Sequence, residues 1–552
     1  MTLTERLQGK RPLAARGVGH NNAVRLDESW QMDIQTEDST VLAAAQRLNS
    51  FLRDAFSLLL TGREHTLRVL LAPGFEHGFS LAVSEEAVCL RASEPAALVK
   101  GLLEIEARMR AWGEPALKTG EETVTPRLYP RLALSPWENG TVSAQDAVNL
   151  LYAGYDGVAV PSHAPFPAEA KKAGLLCFLM CDRTVKTENP FDGVIWQGGV
   201  TDEALAFVSH FGIQVFDTLD WQTEPAARAE SVARLPRGAI VLSSFEAGAH
   251  LTRGNLNFTA PDGLLAVTEA SDRFQSDSAE AKTRGLCVWV RILTAGKIPY
   301  LANLFPLPAM MQHVLRTDGL LASGACGSLE TGGFVPSFVS DYYREALRTP
   351  CDEPGVLVQR LAARDFGAAQ AQTMALVFKK LSDAFSALVP LPSDMKPLAY
   401  AAAFPLTEGE LYELPAGDVS LYTEQVLQSA DHFRKAQAML SRVPGNDAKE
   451  LAASCGFAIN ALVTLANVQR TARRQNAILR ADQPFKARFL REQMIKIARE
   501  EMQNAEETME LLAAFPSLCL LDSLCTPEFL EDKLVLTGRM AARCEDAMQK
   551  NS

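Results

Sequence analysis

At 552 residues, with 47% hydrophobic and 22% charged residues, the chain has the make-up of an ordinary soluble protein. It is long enough for about two to four domains with sizeable cores. Its net charge of −12 argues against a nucleic-acid binder, which needs a basic face, and it contains no uninterrupted run of about 18 apolar residues to span a bilayer. Ten cysteines without framework spacing, and an N-terminus (Met1-Thr2-Leu3-Thr4-Glu5-Arg6) without an apolar leader, lead us to expect a cytoplasmic protein with reduced thiols.

Residues 1–27 are polar and aperiodic and read as a tail. Residues 28–125 read as a small α+β domain. It has a strand at 29–34, a helix over 40–60 with Leu42, Ala45, Leu48, Leu52, Phe56 and Leu59 on one stripe, and a strand at 67–72. A hairpin of 79–83 with 87–92 follows, then a helix to about Trp112 with Ser93 as N-cap and Pro95 in the first turn. Over 126–350 short apolar strands alternate with helical stretches. The candidate strands are 131–135, 157–161, 175–180, 193–197, 213–218, 239–244, 264–268, 288–292 and 320–323. Such alternation predicts a (β/α)8 barrel, for which this set holds one strand too many; the short elements between Gly193 and Thr218 are the first to give up. No G-x-G-x-x-G follows a first strand, which disfavours an open doubly wound sheet. Residues 351–552 read as helices throughout, over 355–366, 368–388, 422–443, 447–481, 484–515 and 527–548, an all-helical C-terminal domain that could also form a homodimer interface.

Several pieces carry a resemblance. The hairpin 79–92 runs into Ser93-Glu94-Pro95-Ala96-Ala97-Leu98-Val99-Lys100-Gly101-Leu102. Pro130-Arg131-Leu132-Ala133-Leu134 follows as a first barrel strand, and Ile298-Pro299-Tyr300, Asp318-Gly319-Leu320 and Gly332-Gly333-Phe334-Val335-Pro336-Ser337 close the barrel region in that order. Together they resemble the auxiliary domain and barrel of family 20 hexosaminidases and related α-glucuronidases, over about three quarters of the chain. The resemblance implies a glycoside hydrolase acting on a carbohydrate, with Arg131 on the first strand near substrate and no cofactor. The chain also departs from the pattern. Leu293-Thr294 stands where relatives carry Trp-Glu, Ser323-Gly324-Ala325-Cys326 replaces their Ser-Trp, and the Asp-Glu dipeptide after the fourth strand is missing.

Glycoside hydrolysis needs two carboxyl groups, one to protonate the leaving group and one to act as base or nucleophile. On a barrel they belong at the C-terminal ends of strands. Glu246 follows Val241-Leu242-Ser243-Ser244-Phe245, Asp217 follows Ile213-Gln214-Val215-Phe216, and Glu269 follows residues 264–268; these three are the catalytic candidates. Glu330 lies in the glycine-rich stretch expected after the last strand and is a substrate-binding candidate, and Asp182 and Glu138 stand at earlier strand ends. Trp137, Trp196 and Trp221 end candidate strands and could stack on sugar faces, whereas Trp289 lies inside a strand and reads as core. The eight histidines show no H-x-x-x-H or H-E-x-x-H spacing, so no metal site is expected. Cys177-x-x-x-Cys181 has the wrong spacing for a redox pair, and Ser243-Ser244-Phe245 lacks a nucleophile elbow.

The leading expectation is a hydrolase that trims a sugar from an oligosaccharide, with neither nucleic acid nor membrane as a partner. Two readings stand beside it: a barrel without chemistry that binds carbohydrate or serves as a structural subunit, and a sugar lyase or isomerase, which a clustered His and Lys would signal.

Overall fold

The computed structural model describes residues 10–14, 22–134, 141–219, 224–253, 256–294, 307–331, 337–388, 419–519 and 526–550. Eight parallel strands close into a barrel in strict chain order: β1 (Arg131–Leu134), β2 (Gly157–Pro161), β3 (Leu176–Cys181), β4 (Gly193–Trp196), β5 (Ile213–Asp217), β6 (Ile240–Ser244), β7 (Cys287–Leu293) and β8 (Gly327–Thr331). Helices join them on the outside, among them Asp272–Thr283 before β7 and Met310–Ala322 after it. One side chain from each strand fills the middle of the barrel: Leu132, Ala159, Phe178, Ile195, Val215, Leu242, Trp289 and Leu329. Trp289 fits because its neighbour on β8 is Gly327, where a Cβ would lie 2.6 Å from the indole Nε1.

Seven of the expected strands are present, and two expectations are corrected. Residues 264–268 form no strand. Their apolar side chains are buried, but the carbonyls of Leu264 and Val267 accept hydrogen bonds from the Arg316 guanidinium rather than from a neighbouring strand. Residues 320–323 end the helix Met310–Ala322, and the eighth strand begins four residues later at Gly327. The short elements at 193–217 are both barrel strands, so the surplus candidate was not among them.

Ahead of the barrel lies a six-stranded mixed sheet in the order Arg348–Thr349, Gly120–Pro126, Phe79–Val83, Ala87–Ala92, His65–Leu71, Trp30–Gln35. Its first edge is supplied by the chain as it leaves the barrel. The helix Ser39–Phe56 buries Val41, Ala44, Ala45, Leu48, Phe51 and Leu52, a stripe turned from the expected one, so that Leu42 is exposed; Leu59 lies beyond the helix and is exposed as well. Asp38 caps it by accepting from the amides of Thr40 and Val41 at 2.9 and 3.2 Å. Replacing Asp38 with Ala should cost about 1 kcal/mol at neutral pH. The side-chain hydrogen bond from Thr40 holds the Asp38 carboxyl below its ordinary value. The cap's contribution is therefore present above the ordinary aspartate range and is lost as pH falls through the lowered value. Urea titrations of both proteins at neutral and acid pH check this.

The helix Pro95–Trp112 starts with Pro95 in its first turn, as the sequence suggests, but Glu94 is its N-cap residue and Ser93 instead accepts the Phe75 amide at 2.8 Å. This helix lies so close to the sheet that a Cβ on Gly101 would sit 2.4 Å from Leu90 Cδ1. Gly101→Ala should therefore destabilise the protein by about 1–3 kcal/mol through overpacking, despite the better helix propensity of alanine. A shift in the urea midpoint at unchanged slope is the check.

After the barrel come the helices Pro354–Phe366, Ala371–Ala387, Val419–Leu440, Asn446–Leu479, Pro484–Ala514 and Pro527–Gln549. From Ala371–Ala387 onward each of the long helices packs on the next. Asn446–Leu479 is long and apolar enough to cross a bilayer by length and composition, yet 78% of its most apolar window is buried against other helices. Its inner face carries a polar network. Glu501 pairs with Lys533 and accepts from Thr464 and from Asn467 (2.8 Å), while Asn504 donates to Thr464 at 2.9 Å.

Candidate active site

Side chains alternate between the two faces of a strand. Asp217, Ser244 and Arg291 each stand two residues beyond an interior side chain (Val215, Leu242 and Trp289), so they point toward the barrel axis one layer nearer its C-terminal mouth. There Arg291 Nη1 donates to Asp217 Oδ2 at 2.6 Å, and its Nε lies 3.2 Å from Asp262 Oδ2. Asp262 comes from the long β6-to-β7 excursion, just after an antiparallel hairpin of His250–Arg253 with Leu256–Thr259. Ser244 Oγ donates to Asp262 Oδ1 at 2.5 Å and accepts the Ala247 amide at 2.9 Å, so the same hydroxyl fixes both the aspartate and the turn after β6.

The two carboxylates differ in setting. The Asp217 side chain is 1% exposed and also accepts the Leu219 amide at 3.0 Å. The Asp262 side chain is 25% exposed. Burial pushes the Asp217 carboxyl above its ordinary value, with Arg291 pulling the other way. Burial alone would lower the Arg291 guanidinium, but Asp217 and then Asp262 beside it hold it above its ordinary value. Behind the mouth, Asp277 accepts from Thr218 Oγ1 (2.9 Å), Ser243 Oγ (2.8 Å) and Arg228 Nε (2.9 Å), tying the ends of β5 and β6 to two helices. Asp217 therefore sits on a braced strand end, the setting a reacting group needs.

Among the described residues singled out from sequence, Asp217 alone is in contact with Arg291. Glu246 is fully buried between the end of β7 and the helix Met310–Ala322. Its Oε1 accepts the Leu293 amide at 2.9 Å and the guanidinium of Arg316, itself fully buried, which also donates to the carbonyls of Leu293 and Val267. Burial pushes the Glu246 carboxyl up against the pull of Arg316. Glu330 belongs to β8 itself and faces outward. It takes a two-pronged ion pair from Arg131 on β1 (2.7 and 2.9 Å), with Tyr155 and Ser328 hydroxyls at 3.0 and 2.9 Å. Arg131 and Glu330 therefore lock the seam where β8 meets β1 rather than face a substrate.

Glu269 follows no strand. It is exposed and lines a groove of about 710 Å³ on the barrel's flank between Asp272–Thr283 and Met310–Ala322, with Lys282 and Asp318. Trp196 turns outward from β4. It is buried against Phe207 and donates to the Gly199 carbonyl at 3.1 Å, which makes it core rather than a sugar platform. Trp289 is core as expected, and Asp182 is exposed just beyond β3. Trp137, Trp221 and Glu138 lie outside the described residues. Sequence reasoning missed Arg291, Ser244 and Asp262. Arg291 had a signal, an arginine two places after Trp289 in an otherwise apolar strand; Asp262 had none, since its position depends on how the excursion folds.

Among the described residues no group of three or more His, Cys, Asp or Glu side chains is placed to hold a metal ion.

No protein-family model and no curated protein matches the chain. Solved structures do. A GH138 enzyme targeting pectin rhamnogalacturonan II superposes with a TM-score of 0.59 over 94% of this chain and 99% of its own, at 8% identity. The chain shares the overall fold of that enzyme. A GH115 4-O-methyl-α-glucuronidase matches at a TM-score of 0.45 and 12% identity, over 88% of this chain and 78% of its own. The chitobiase of Flavobacterium johnsoniae, a family 20 structure, matches at 0.40 and 10% identity, over 94% and 97%. The family 20 resemblance read from sequence is not specifically supported by these matches.

Proposed function

We propose that this protein hydrolyses glycosidic bonds at the C-terminal mouth of its barrel, with Asp217 and Asp262 as the carboxyl pair. The observation that carries this reading is the meeting of both carboxylates on one guanidinium. Contacts of 2.6 and 3.2 Å to different nitrogens of Arg291 keep the contacting oxygens within about 8 Å of each other, and glycosidase carboxyl pairs work at separations of about 5–9.5 Å. The near-complete superposition on a GH138 hydrolase supports the same reading.

The settings divide the roles. Asp217, buried and shifted upward, is the general acid. Its proton passes to the glycosidic oxygen as the bond to the anomeric carbon breaks, and the leaving sugar departs as an alcohol. Asp262, more open to water and held by Ser244 and Arg291, stays ionised. It either bonds to the anomeric carbon or takes the proton of the attacking water. Arg291 keeps the two carboxylates apart and offsets their charge.

The test is a screen of the purified protein against aryl glycosides, followed by a pH profile of kcat/KM on any substrate turned over. Burial raises Asp217, so its acid form persists to higher pH than that of an exposed aspartate. The rate should fall as pH rises through that raised value, and Asp217→Asn should remove this limb. The second reading, a barrel that binds sugar without cleaving it, is favoured by the pairing of Arg291 with both carboxylates. A sugar that raises the melting temperature while no glycoside is turned over would establish it.

A further inference from the structure

The overall charge of −12 hides a strong local excess of the opposite sign. From Arg470 to Arg499 the chain carries nine Lys and Arg against two Asp and Glu, so the rest of the molecule holds a deficit of nineteen. In the structure this stretch is the tip of a helical hairpin, the end of Asn446–Leu479 and the start of Pro484–Ala514 joined by four residues. Partial burial, then Arg470 and Arg473 nearby, hold Arg474 below its ordinary value. Among the described residues the ion pairs of this stretch are long, Arg499 to Glu545 at 3.4 Å, Arg488 to Glu492 at 3.5 Å and Arg470 to Glu500 at 3.8 Å.

The same tip exposes large apolar side chains. Phe485 is 79% exposed, Phe489 51% and Leu479 44%. Phe485 and Phe489 stand four apart on one helix and so share a face, with Lys486 and Arg488 between them in sequence, both exposed. The long helices behind the tip are anchored by their own core of Met494, Ile497, Ala498, Met540 and Cys544, so the exposed rings are not part of the packing that holds the hairpin together.

We propose that this tip docks the protein on an anionic lipid surface. Exposed rings flanked by cations suit a headgroup layer, where apolar side chains sink about 5–10 Å and Lys and Arg meet acidic lipids. The acidic remainder of the molecule is repelled by such a surface, which leaves the hairpin tip leading and holds the barrel away. Two other occupants fit less well. A symmetric dimer through this patch would bring two basic tips together, and a nucleic acid would call for a basic track along a groove rather than two rings on a helix end.

The test uses the full chain in a flotation assay with phosphatidylcholine vesicles, plain or carrying about 30 mol% phosphatidylserine, at about 0.1 and about 0.5 M salt. Binding is expected with phosphatidylserine alone and should weaken at the higher salt. Lys486→Ala/Arg488→Ala should lower vesicle affinity about 25-fold, since each cation near the surface is worth about fivefold. Phe485→Ser/Phe489→Ser should remove the part of binding that survives high salt. All four side chains are exposed, so melting temperatures should not move. Equal binding to both vesicle types, no binding to either, or unchanged binding of the Lys/Arg variant would overturn the proposal. So would a self-association abolished by the Phe variant, or tight binding of an oligonucleotide, in the absence of vesicle binding.

Discussion

Arg316→Met is expected to lower the free energy of unfolding by about 3–5 kcal/mol, the usual cost of leaving one partner of a buried ion pair behind. Arg316 and Glu246 are both fully buried, and the guanidinium also serves the carbonyls of Leu264, Val267 and Leu293. The substitution therefore strands a carboxylate and three acceptors at once. The pH dependence gives the mechanism away. The Glu246 carboxyl is already raised by burial, and without Arg316 it rises further. A raised carboxyl contributes most below its unfolded-state value and loses that contribution as pH rises through the folded one. The variant's deficit should thus be largest near neutral pH and shrink toward acid. Arg316→Met/Glu246→Leu should recover part of the loss, because two apolar groups in place of a buried pair are often tolerated. Urea titrations of the single and double variants over pH measure both effects.

Asp217→Asn should leave the fold intact and lower kcat by about 10²–10⁴-fold, the range for loss of a positioned general acid. Asparagine keeps the shape and can still accept from the Leu219 amide, which bonds Oδ1 at 3.0 Å. It cannot protonate a glycosidic oxygen at any pH. The loss should be smaller for aryl glycosides whose leaving groups are acidic enough to depart unprotonated, and that dependence on leaving group separates a missing acid from a general loosening of the site. Steady-state kinetics on a series of substituted aryl glycosides is the measurement.

Much of this architecture was readable from the chain because its elements are short and sharply bounded. β2, β3 and β7 are apolar runs buried on both faces, as parallel strands are. The C-terminal helices are set off by Pro354, Pro484 and Pro527 in their first turns. The errors share one physical cause, that apolar texture reports burial and not conformation. Residues 264–268 are buried like a strand but have no ladder partner, and Leu320 is a helix residue facing the core. β8, Gly-Ser-Leu-Glu-Thr, was invisible because its outward Ser328 and Glu330 are polar, Glu330 being paired with Arg131 and accepting from the Ser328 hydroxyl. The site was harder still. Strand parity alone does not tell which strand-end carboxylate faces the mouth. Asp217 is the last residue of β5, whereas Glu246 has the parity of the inward Leu242 and Ser244 but lies past the end of β6, where the turn carries it to Arg316. Net charge is likewise silent on local patches, since the sum over the chain conceals the basic hairpin tip.

The central claim is that chemistry sits at the mouth with Asp262 and Asp217, and that Glu246 holds the fold. The direct measurement is kcat on a hydrolysed aryl glycoside for Asp262→Asn and Glu246→Gln side by side, well below either variant's melting temperature. We expect Asp262→Asn to melt near wild type and lose at least about a hundred-fold in kcat, while Glu246→Gln melts lower and keeps kcat within a few-fold. A Glu246→Gln protein that is folded but inactive, beside an Asp262→Asn protein that turns over normally, would contradict the account.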